Sequence, residues 1–127
     1  MNRLLLDTQA VIWWDANDPR LGGRSRSLIS ESDEVFVSAA SAWEITIKAA
    51  LGKLRSTRAV STVLGENRFT ELPVTVAHAE AVAKLPKRHA DPFDRLIIAT
   101  AQSEGLAVMT TDEKFEEYDV VVLDARK

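Results

Sequence analysis

The sequence predicts an α/β fold, a three-layer α/β/α sandwich with a central, mainly parallel sheet. Short runs of apolar residues, too short to form helices and mostly rich in branched side chains, alternate along the chain with longer amphipathic stretches. Strands separated by helices form βαβ units, which build a parallel sheet covered by helices on both faces. The 127 residues contain no internal repeat and suit one hydrophobic core. We therefore expect a single domain over residues 1–127.

Four apolar segments are expected to be buried strands, namely Leu4–Leu6, Val35–Val37, Ala107–Met109 and Val120–Leu123. A weaker strand is expected over Glu71–Val74. It contains Pro73, which has no backbone N–H to donate, so this strand should lie at an edge of the sheet.

Helical patterns occupy the segments between these strands. Pro92–Glu104 begins with a proline, which suits the first turn of a helix, and it is followed by Gly105. Ala42–Leu51 is followed by Gly52, a second plausible stop. The other helices are expected at Thr8–Ala16, Thr75–Leu85 and, as a short one, Glu113–Tyr118, with a linker over Ser56–Phe69.

Composition excludes several classes of protein. The chain has no cysteine, which excludes disulfides, thiolate zinc sites and cysteine nucleophiles. No apolar run approaches the ~18–20 residues that cross a bilayer, so we expect a cytoplasmic protein with no membrane partner. The net charge of −3 argues against broad electrostatic binding of nucleic acid, but it permits a local acidic site with basic residues at its rim.

The positions of four acidic residues are the strongest chemical signal. Asp7 ends the first predicted strand, Glu44 lies soon after the second, Asp94 is in the first turn of a helix, and Asp112 follows Ala107–Met109. The carboxyl ends of parallel strands share one edge of a sheet, where ligands collect. Four carboxylates there would repel one another unless they bound protons or cations. Oxygen ligands without cysteine favour Mg²⁺ or Mn²⁺, ions that support phosphodiester hydrolysis.

Each acid also has a purely structural interpretation. Asp7, Asp91 and Asp112 stand where helix N-caps are expected. The segment from Ser41 to Glu44 matches a capping box, and Glu44 is also placed to pair with a lysine one turn later. A cap explains any one acid, but it does not explain why four lie at one edge.

Four segments carry a resemblance to a known family, and they occur in that family's order: residues 4–8, 38–45, 89–99 and 110–112. They resemble those of PIN-domain proteins and, within them, the VapC-type ribonuclease toxins of prokaryotic toxin–antitoxin pairs. The resemblance covers the chain from Met1 to about Leu123.

The resemblance implies RNA cleavage that depends on Mg²⁺ or Mn²⁺, with Asp7, Glu44, Asp94 and Asp112 as the metal-binding catalytic acids. It implies a homodimer and a small antitoxin protein that masks the site, with operator DNA contacted only through the antitoxin. It also implies supporting hydroxyls that orient the acids, at Thr8, Ser41 and Thr110.

Basic and aromatic residues near these motifs have two interpretations each. The run Lys84, Lys87 and Arg88 is either a phosphate-binding rim on the RNA path or a solvated loop. We expect Arg95 to neutralise Asp94, the alternative being that it holds a phosphate. Two histidines, His78 and His89, are expected to be ordinary surface residues, the alternative being metal ligands or general acids. Three tryptophans are expected in the core or a dimer interface, the alternative being that they stack on RNA bases: Trp13, Trp14 and Trp43. Since one helix face cannot bury two consecutive residues, we expect Trp13 or Trp14 to contact a partner subunit.

Two other functions are compatible with such a chain. In a non-catalytic scaffold of the same fold, the acids would only cap helices, and a metal titration distinguishes that case. A receiver-like phosphoacceptor domain also uses Mg²⁺ and strand-end aspartates. However, it needs an acidic pair after the first strand, and Asp7 is instead followed by Thr8.

Overall fold

A computed structural model describes residues 3–54, 58–89 and 91–127. It contains five strands: β1 (Arg3–Leu6), β2 (Glu34–Ser38), β3 (Thr70–Leu72), β4 (Ala107–Thr110) and β5 (Val122–Asp124). Its helices are α1 (Thr8–Asp15), α2 (Gly23–Glu31), α3 (Ala39–Ala50), α4 (Val60–Asn67), α5 (Val76–Ala81) and α6 (Pro92–Glu104). Short 3₁₀ helices cover Val82–Lys84 and Glu113–Glu117.

The five strands form one parallel sheet in the order β3-β2-β1-β4-β5. The chain builds outward from β1 to β3 on one side and then crosses to β4 and β5 on the other. The switch point of this topology therefore lies between β1 and β4, where ligands bind in open α/β sheets. The order differs from the 2-1-3-4-5 order of receiver domains, which argues against the phosphoacceptor interpretation.

Side chains alternate between the two faces of the sheet, and each face has its own core. Leu4 and Leu6 pack with residues of α1 to α4 on one face, whereas Leu5 packs with α6 on the other. Neighbouring strands repeat the alternation, as Val35 and Val37 lie in the first core and Phe36 in the second. The predicted three-layer sandwich is confirmed.

The strands are confirmed with small shifts of their ends, and β3 is an edge strand as Pro73 indicated. The predicted helix Thr75–Leu85 is shorter: Thr75 caps α5, which is followed by the 3₁₀ turn Val82–Lys84. The short helix after Asp112 is a 3₁₀ helix.

Among the helices that the structure describes, none has the length and apolar character needed to span a membrane.

Two predictions about helices are wrong. α3 begins at Ala39, three residues earlier than expected, and its N-cap is Ser38, so Ser41 and Glu44 do not form a capping box. The expected linker over Ser56–Phe69 contains the helix α4, although Ser56 and Thr57 lie outside the described residues. A helical signal was present there, since Val60, Val63 and Leu64 follow the spacing i, i+3, i+4 and all three pack in the first core.

Candidate metal centre

The carboxyl ends of β1, β2 and β4 bring the four predicted acids to one cavity of about 180 Å³. Asp7 follows β1, Glu44 is on α3, Asp94 is in the first turn of α6, and Asp112 follows β4. The cavity is lined by Asp7, Thr8, Gln9, Ile12, Glu44, Lys48, Leu54, Asp91, Asp94, Thr111 and Asp112. The predicted convergence of the acids is therefore observed.

Asp7 is buried and has both a structural and an electrostatic role. Its Oδ1 accepts a hydrogen bond of 2.8 Å from the backbone N–H of Ala10, so Asp7 is the N-cap of α1. Burial raises the pKa of Asp7 to about 6, although hydrogen bonds from Thr110 and Ala10 oppose the shift. The charges of Glu44 and Asp112 raise it further. A carboxyl in this position gains stability from a proton or a cation.

Glu44 is held from two sides. The Thr8 hydroxyl donates to its Oε1 over 2.6 Å and lies 3.1 Å from the hydroxyl of Ser41, which is buried behind it. Its Oε2 is 2.8 Å from Nζ of Lys48, one helical turn later, as the sequence indicated. This hydrogen bond raises the pKa of Lys48. Thr8 therefore orients Glu44, Ser41 contacts the Thr8 hydroxyl, and Lys48 supplies a positive charge at the cavity.

The two acids of the segment 91–94 have different roles. Asp91 caps α6, because its Oδ1 accepts from the backbone N–H groups of Phe93 and Asp94 at 2.8 and 3.3 Å. Asp94 projects toward the cavity from the first helical turn. Burial raises the pKa of Asp94 to about 7, and the nearby charge of Asp91 adds to the shift.

The pKa of Asp112 is shifted in the opposite direction. Burial acts to raise its pKa, but hydrogen bonds from His89 and from the backbone N–H of Lys114 outweigh burial, so the pKa lies below its usual value. The bond from Lys114 to Oδ1 makes Asp112 the cap of the following 3₁₀ helix. The Thr110 hydroxyl accepts from the backbone N–H of Asp112 over 3.0 Å, which fixes the turn.

His89 is a site residue, and the prediction that it is an ordinary surface residue is wrong. Its Nε2 lies 2.6 Å from Oδ2 of Asp112 and 3.1 Å from Oδ2 of Asp94. The contact with Asp112 joins residues far apart in sequence, and no local pattern signals it. His78 is not a surface residue either: it is buried, completes the cap of α5 and contacts Glu104.

Arg95 does not neutralise Asp94, contrary to the prediction. Its guanidinium donates to the carbonyl oxygens of Pro86 and Val82, each over 3.0 Å, and lies 3.4 Å from the hydroxyl of Tyr118. Arg95 points away from the carboxylates because the segment before α6 offers it carbonyl acceptors. It therefore fastens that segment to α6.

A basic surface lies beside the acidic cavity, with His89 between the two. It encloses about 540 Å³ and is lined by Lys87, Arg88, His89, Arg95 and Lys114. Two residues of the predicted rim, Lys87 and Arg88, are thus placed next to the acids. Lys84 is exposed on the preceding 3₁₀ turn and does not line this surface.

The tryptophans differ from one another in exposure. Trp13 is buried, and Trp14 packs against Phe69 and donates to Asn67, because α4 covers the side of α1 that would otherwise be exposed. Trp14 is thus only partly covered by α4, and a contact between one of this pair and a partner subunit stays a prediction. Trp43 is 63% exposed and makes an edge contact with Phe93, so it is not a core residue.

The donor set fits a divalent metal ion. Ligand atoms of His89, Asp94 and Asp112 lie within 4.8 Å of one another. Two oxygens on opposite sides of Mg²⁺ are about 4 Å apart, so the carboxylates of Asp94 and Asp112 lie close to the spacing that shared coordination requires. Asp7 and Glu44 complete a set of carboxylates in the same cavity, the ligands that Mg²⁺ and Mn²⁺ prefer.

A parallel α/β sheet with carboxylates gathered at its switch point defines a class of acidic, metal-binding α/β domains. The PIN domain family model matches residues 4–121, and the chain belongs to that family.

Known proteins resemble the chain over nearly its full length. It is 29% identical to Ribonuclease VapC22 of Mycobacterium tuberculosis over 121 residues, covering 93% of each protein. Its fold is similar to that of VapBC2 from Rickettsia felis bound to a DNA fragment from their promoter, with a TM-score of 0.70, 13% identity, and coverage of 95% and 97% of the two chains. It is also similar to a toxin-antitoxin complex from Klebsiella pneumoniae, with a TM-score of 0.68, 18% identity, and coverage of 96% and 97%.

Proposed function

We propose that this protein is a metal-dependent endoribonuclease, the toxin of a toxin–antitoxin pair, that hydrolyses RNA phosphodiester bonds with Mg²⁺ or Mn²⁺. The observation that carries the proposal is the gathering of four carboxylates from separate segments in one cavity of a PIN-family chain. The resemblance to a protein named as a ribonuclease supports the substrate class.

The proposed metal ligands are Asp7, Glu44, Asp94 and Asp112. When bound, a divalent ion supplies Lewis-acid stabilisation of the negative charge that develops during phosphodiester hydrolysis. The chain's own residues prepare the site: Thr8, held by Ser41, orients Glu44, and Thr110 fixes the turn that carries Asp112.

The basic surface is the proposed path of the RNA backbone. Lys87, Arg88 and Lys114 present cations next to the acids, and none of the ion pairs among the described residues involves them. Phosphate contacts of this kind position a substrate without reading its sequence. Lys84 extends the same charge onto the neighbouring turn.

The proposed inhibitor is a small antitoxin protein with an amphipathic segment. A groove of about 230 Å³ between α3 and α4 has a mostly apolar lining, which includes Ala42, Val60 and Leu64, with Glu71 at one side. It lies beside α3, the helix that also carries Glu44. We also propose that the protein acts as a homodimer and meets operator DNA only through the antitoxin.

Cleavage of RNA by the purified protein tests the proposal. We expect cleavage with Mg²⁺ or Mn²⁺, none with EDTA, and none with Asp7→Asn, because asparagine keeps the cap of α1 but removes a charged ligand. Asp33→Asn is the matched control, since Asp33 is exposed and precedes β2 at the opposite edge of the sheet.

Full cleavage by pure Asp7→Asn protein would contradict the metal role of Asp7. A wild-type protein that neither binds Mn²⁺ nor cuts RNA would instead favour the non-catalytic scaffold, in which the acids only cap helices.

A further inference from the structure

His89 lies at the boundary between the acidic cavity and the basic surface. Its side chain is 9% exposed, and its ring makes an edge contact with the buried Phe115. Each ring nitrogen has a polar neighbour: Nε2 faces Asp112 and Asp94, and Nδ1 is 3.1 Å from the backbone nitrogen of Asp91. All polar atoms of this side chain are therefore engaged.

The contact with Asp91 decides which nitrogen of His89 carries the proton. A backbone N–H can only donate, so Nδ1 must be the acceptor and must be unprotonated. In an imidazole that retains one proton, that proton is then on Nε2. The Nε2–H group points at Oδ2 of Asp112 and Oδ2 of Asp94, both of which accept.

We propose that His89 is a positioning residue that orients Asp94 and Asp112, and that it is not itself a metal ligand. The inference rests on the proposed function, because it assigns those two carboxylates to the metal. The distances alone would also suit a ligand set of one histidine and two aspartates. However, a histidine ligand must offer a lone pair to the metal, and here Nε2 holds a proton while Nδ1 accepts from Asp91.

The two carboxylates have no other direct link. Asp94 belongs to α6, whereas Asp112 follows β4, and no single element sets their separation. One N–H group shared between their Oδ2 atoms draws them together and leaves lone pairs on both carboxylates free for a cation. Partners of this kind, which hold ligands without touching the metal, typically change metal affinity about 10–100-fold when removed.

The tautomer of His89 is testable in the metal-free wild-type protein. We expect ¹H–¹⁵N correlation spectra of the imidazole to show a protonated Nε2 and an unprotonated Nδ1. A proton on Nδ1 alone would overturn the inference, because Nε2 would then be free to ligate a metal.

Mn²⁺ binding, measured without RNA, tests the positioning role. We expect His89→Ala to weaken Mn²⁺ binding about 10–100-fold. His89→Gln should recover most of the loss, since its amide can donate to the same oxygens. Asp33→Asn is the control and should bind like the wild type. The electron paramagnetic resonance of bound Mn²⁺ should show no coupling to a ligated histidine nitrogen.

Such coupling, or unchanged affinity in a folded His89→Ala protein, would overturn the inference. If His89→Ala does not fold, the wild-type spectra still decide. These readouts are independent of catalysis, so a protein that binds Mn²⁺ without cutting RNA would contradict the proposed function and leave the role of His89 standing.

Discussion

At the scale of single residues, burial sets the charge of the acidic cavity. The pKa of Asp7 is raised to about 6 and that of Asp94 to about 7, so the folded, metal-free protein holds protons on these groups more tightly than the unfolded chain does. The free energy of unfolding therefore falls as the pH rises from about 4 to about 7, where both groups lose those protons. Above about pH 7, both carboxylates are ionised, and their charges lower the stability of the metal-free folded protein.

The variant Asp7→Asn is expected to stabilise the metal-free protein only where Asp7 is ionised. At about pH 8 the free energy of unfolding should rise by on the order of 1–3 kcal/mol, and near pH 4 it should change little. Urea unfolding in EDTA at both pH values measures the difference. An equal effect at the two pH values would show that the change does not come from the charge of Asp7.

The variants Asp94→Asn and Asp91→Asn should separate a metal ligand from a helix cap. We expect Asp94→Asn to weaken Mn²⁺ binding at least about tenfold, because a ligand charge is lost. Asp91→Asn should mainly affect stability, since its Oδ1 caps α6. Removing that cap entirely, with Asp91→Ala, should cost about 0.5–2 kcal/mol. Calorimetric titration with Mn²⁺ measures the effect on metal affinity, and thermal unfolding measures the effect on stability. If Asp91→Asn weakened Mn²⁺ binding more than Asp94→Asn did, Asp91 would be the metal ligand and Asp94 would not.

At the scale of elements, Arg95 joins the turn after α5 to α6. Arg95→Ala removes the donor from the carbonyl oxygens of Pro86 and Val82, and we expect it to lower the free energy of unfolding by about 1–3 kcal/mol. Mn²⁺ affinity should stay within a few-fold of the wild type, because Arg95 does not pair with Asp94.

Arg88→Ala is the matched control for Arg95→Ala, since Arg88 is an exposed arginine in the same segment. It should change stability by less than about 0.5 kcal/mol. Urea unfolding compares the two variants. A stable Arg95→Ala protein with altered Mn²⁺ affinity would instead support the ion pair that the sequence suggested.

At the scale of the whole molecule, the adjacent acidic and basic surfaces suggest how the proposed antitoxin inhibits the protein. The acidic cavity and the basic surface lie side by side in a chain of net charge −3. We expect the partner to insert an arginine into the cavity, since a guanidinium binds carboxylates bidentately and stays charged. Excess Mg²⁺ or Mn²⁺ should then partly restore cleavage by the complex.

Inhibition assays with a partner whose arginine is replaced by alanine test this competition. We expect weaker inhibition and the loss of its sensitivity to metal concentration. If the inhibition and its sensitivity to metal concentration both persist, the partner blocks RNA access instead. An inhibited complex that keeps its Mn²⁺ affinity would lead to the same conclusion.

The sequence by itself determined the sheet, its parallel character and the edge at which Asp7, Glu44, Asp94 and Asp112 meet. These features follow from local patterns, because alternating strands and helices fix which ends of the strands lie together. Helices α2 and α4 were not predicted. The sequence of α2 is largely polar and buries only Ser25 and Ile29, so tertiary packing stabilises it, whereas α4 carries only one short apolar pattern of Val60, Val63 and Leu64.

Only the tertiary structure decided the partners of His89 and Arg95. His89 contacts Asp112 across 23 positions of sequence, and Arg95 donates to carbonyl groups of the preceding turn instead of to the adjacent acid. Sequence patterns report neighbours within about one helical turn or one strand, whereas a long polar side chain bonds to whatever acceptor the folded chain brings within reach. The positions of the acids were therefore readable from the sequence, but the residues that orient them were not.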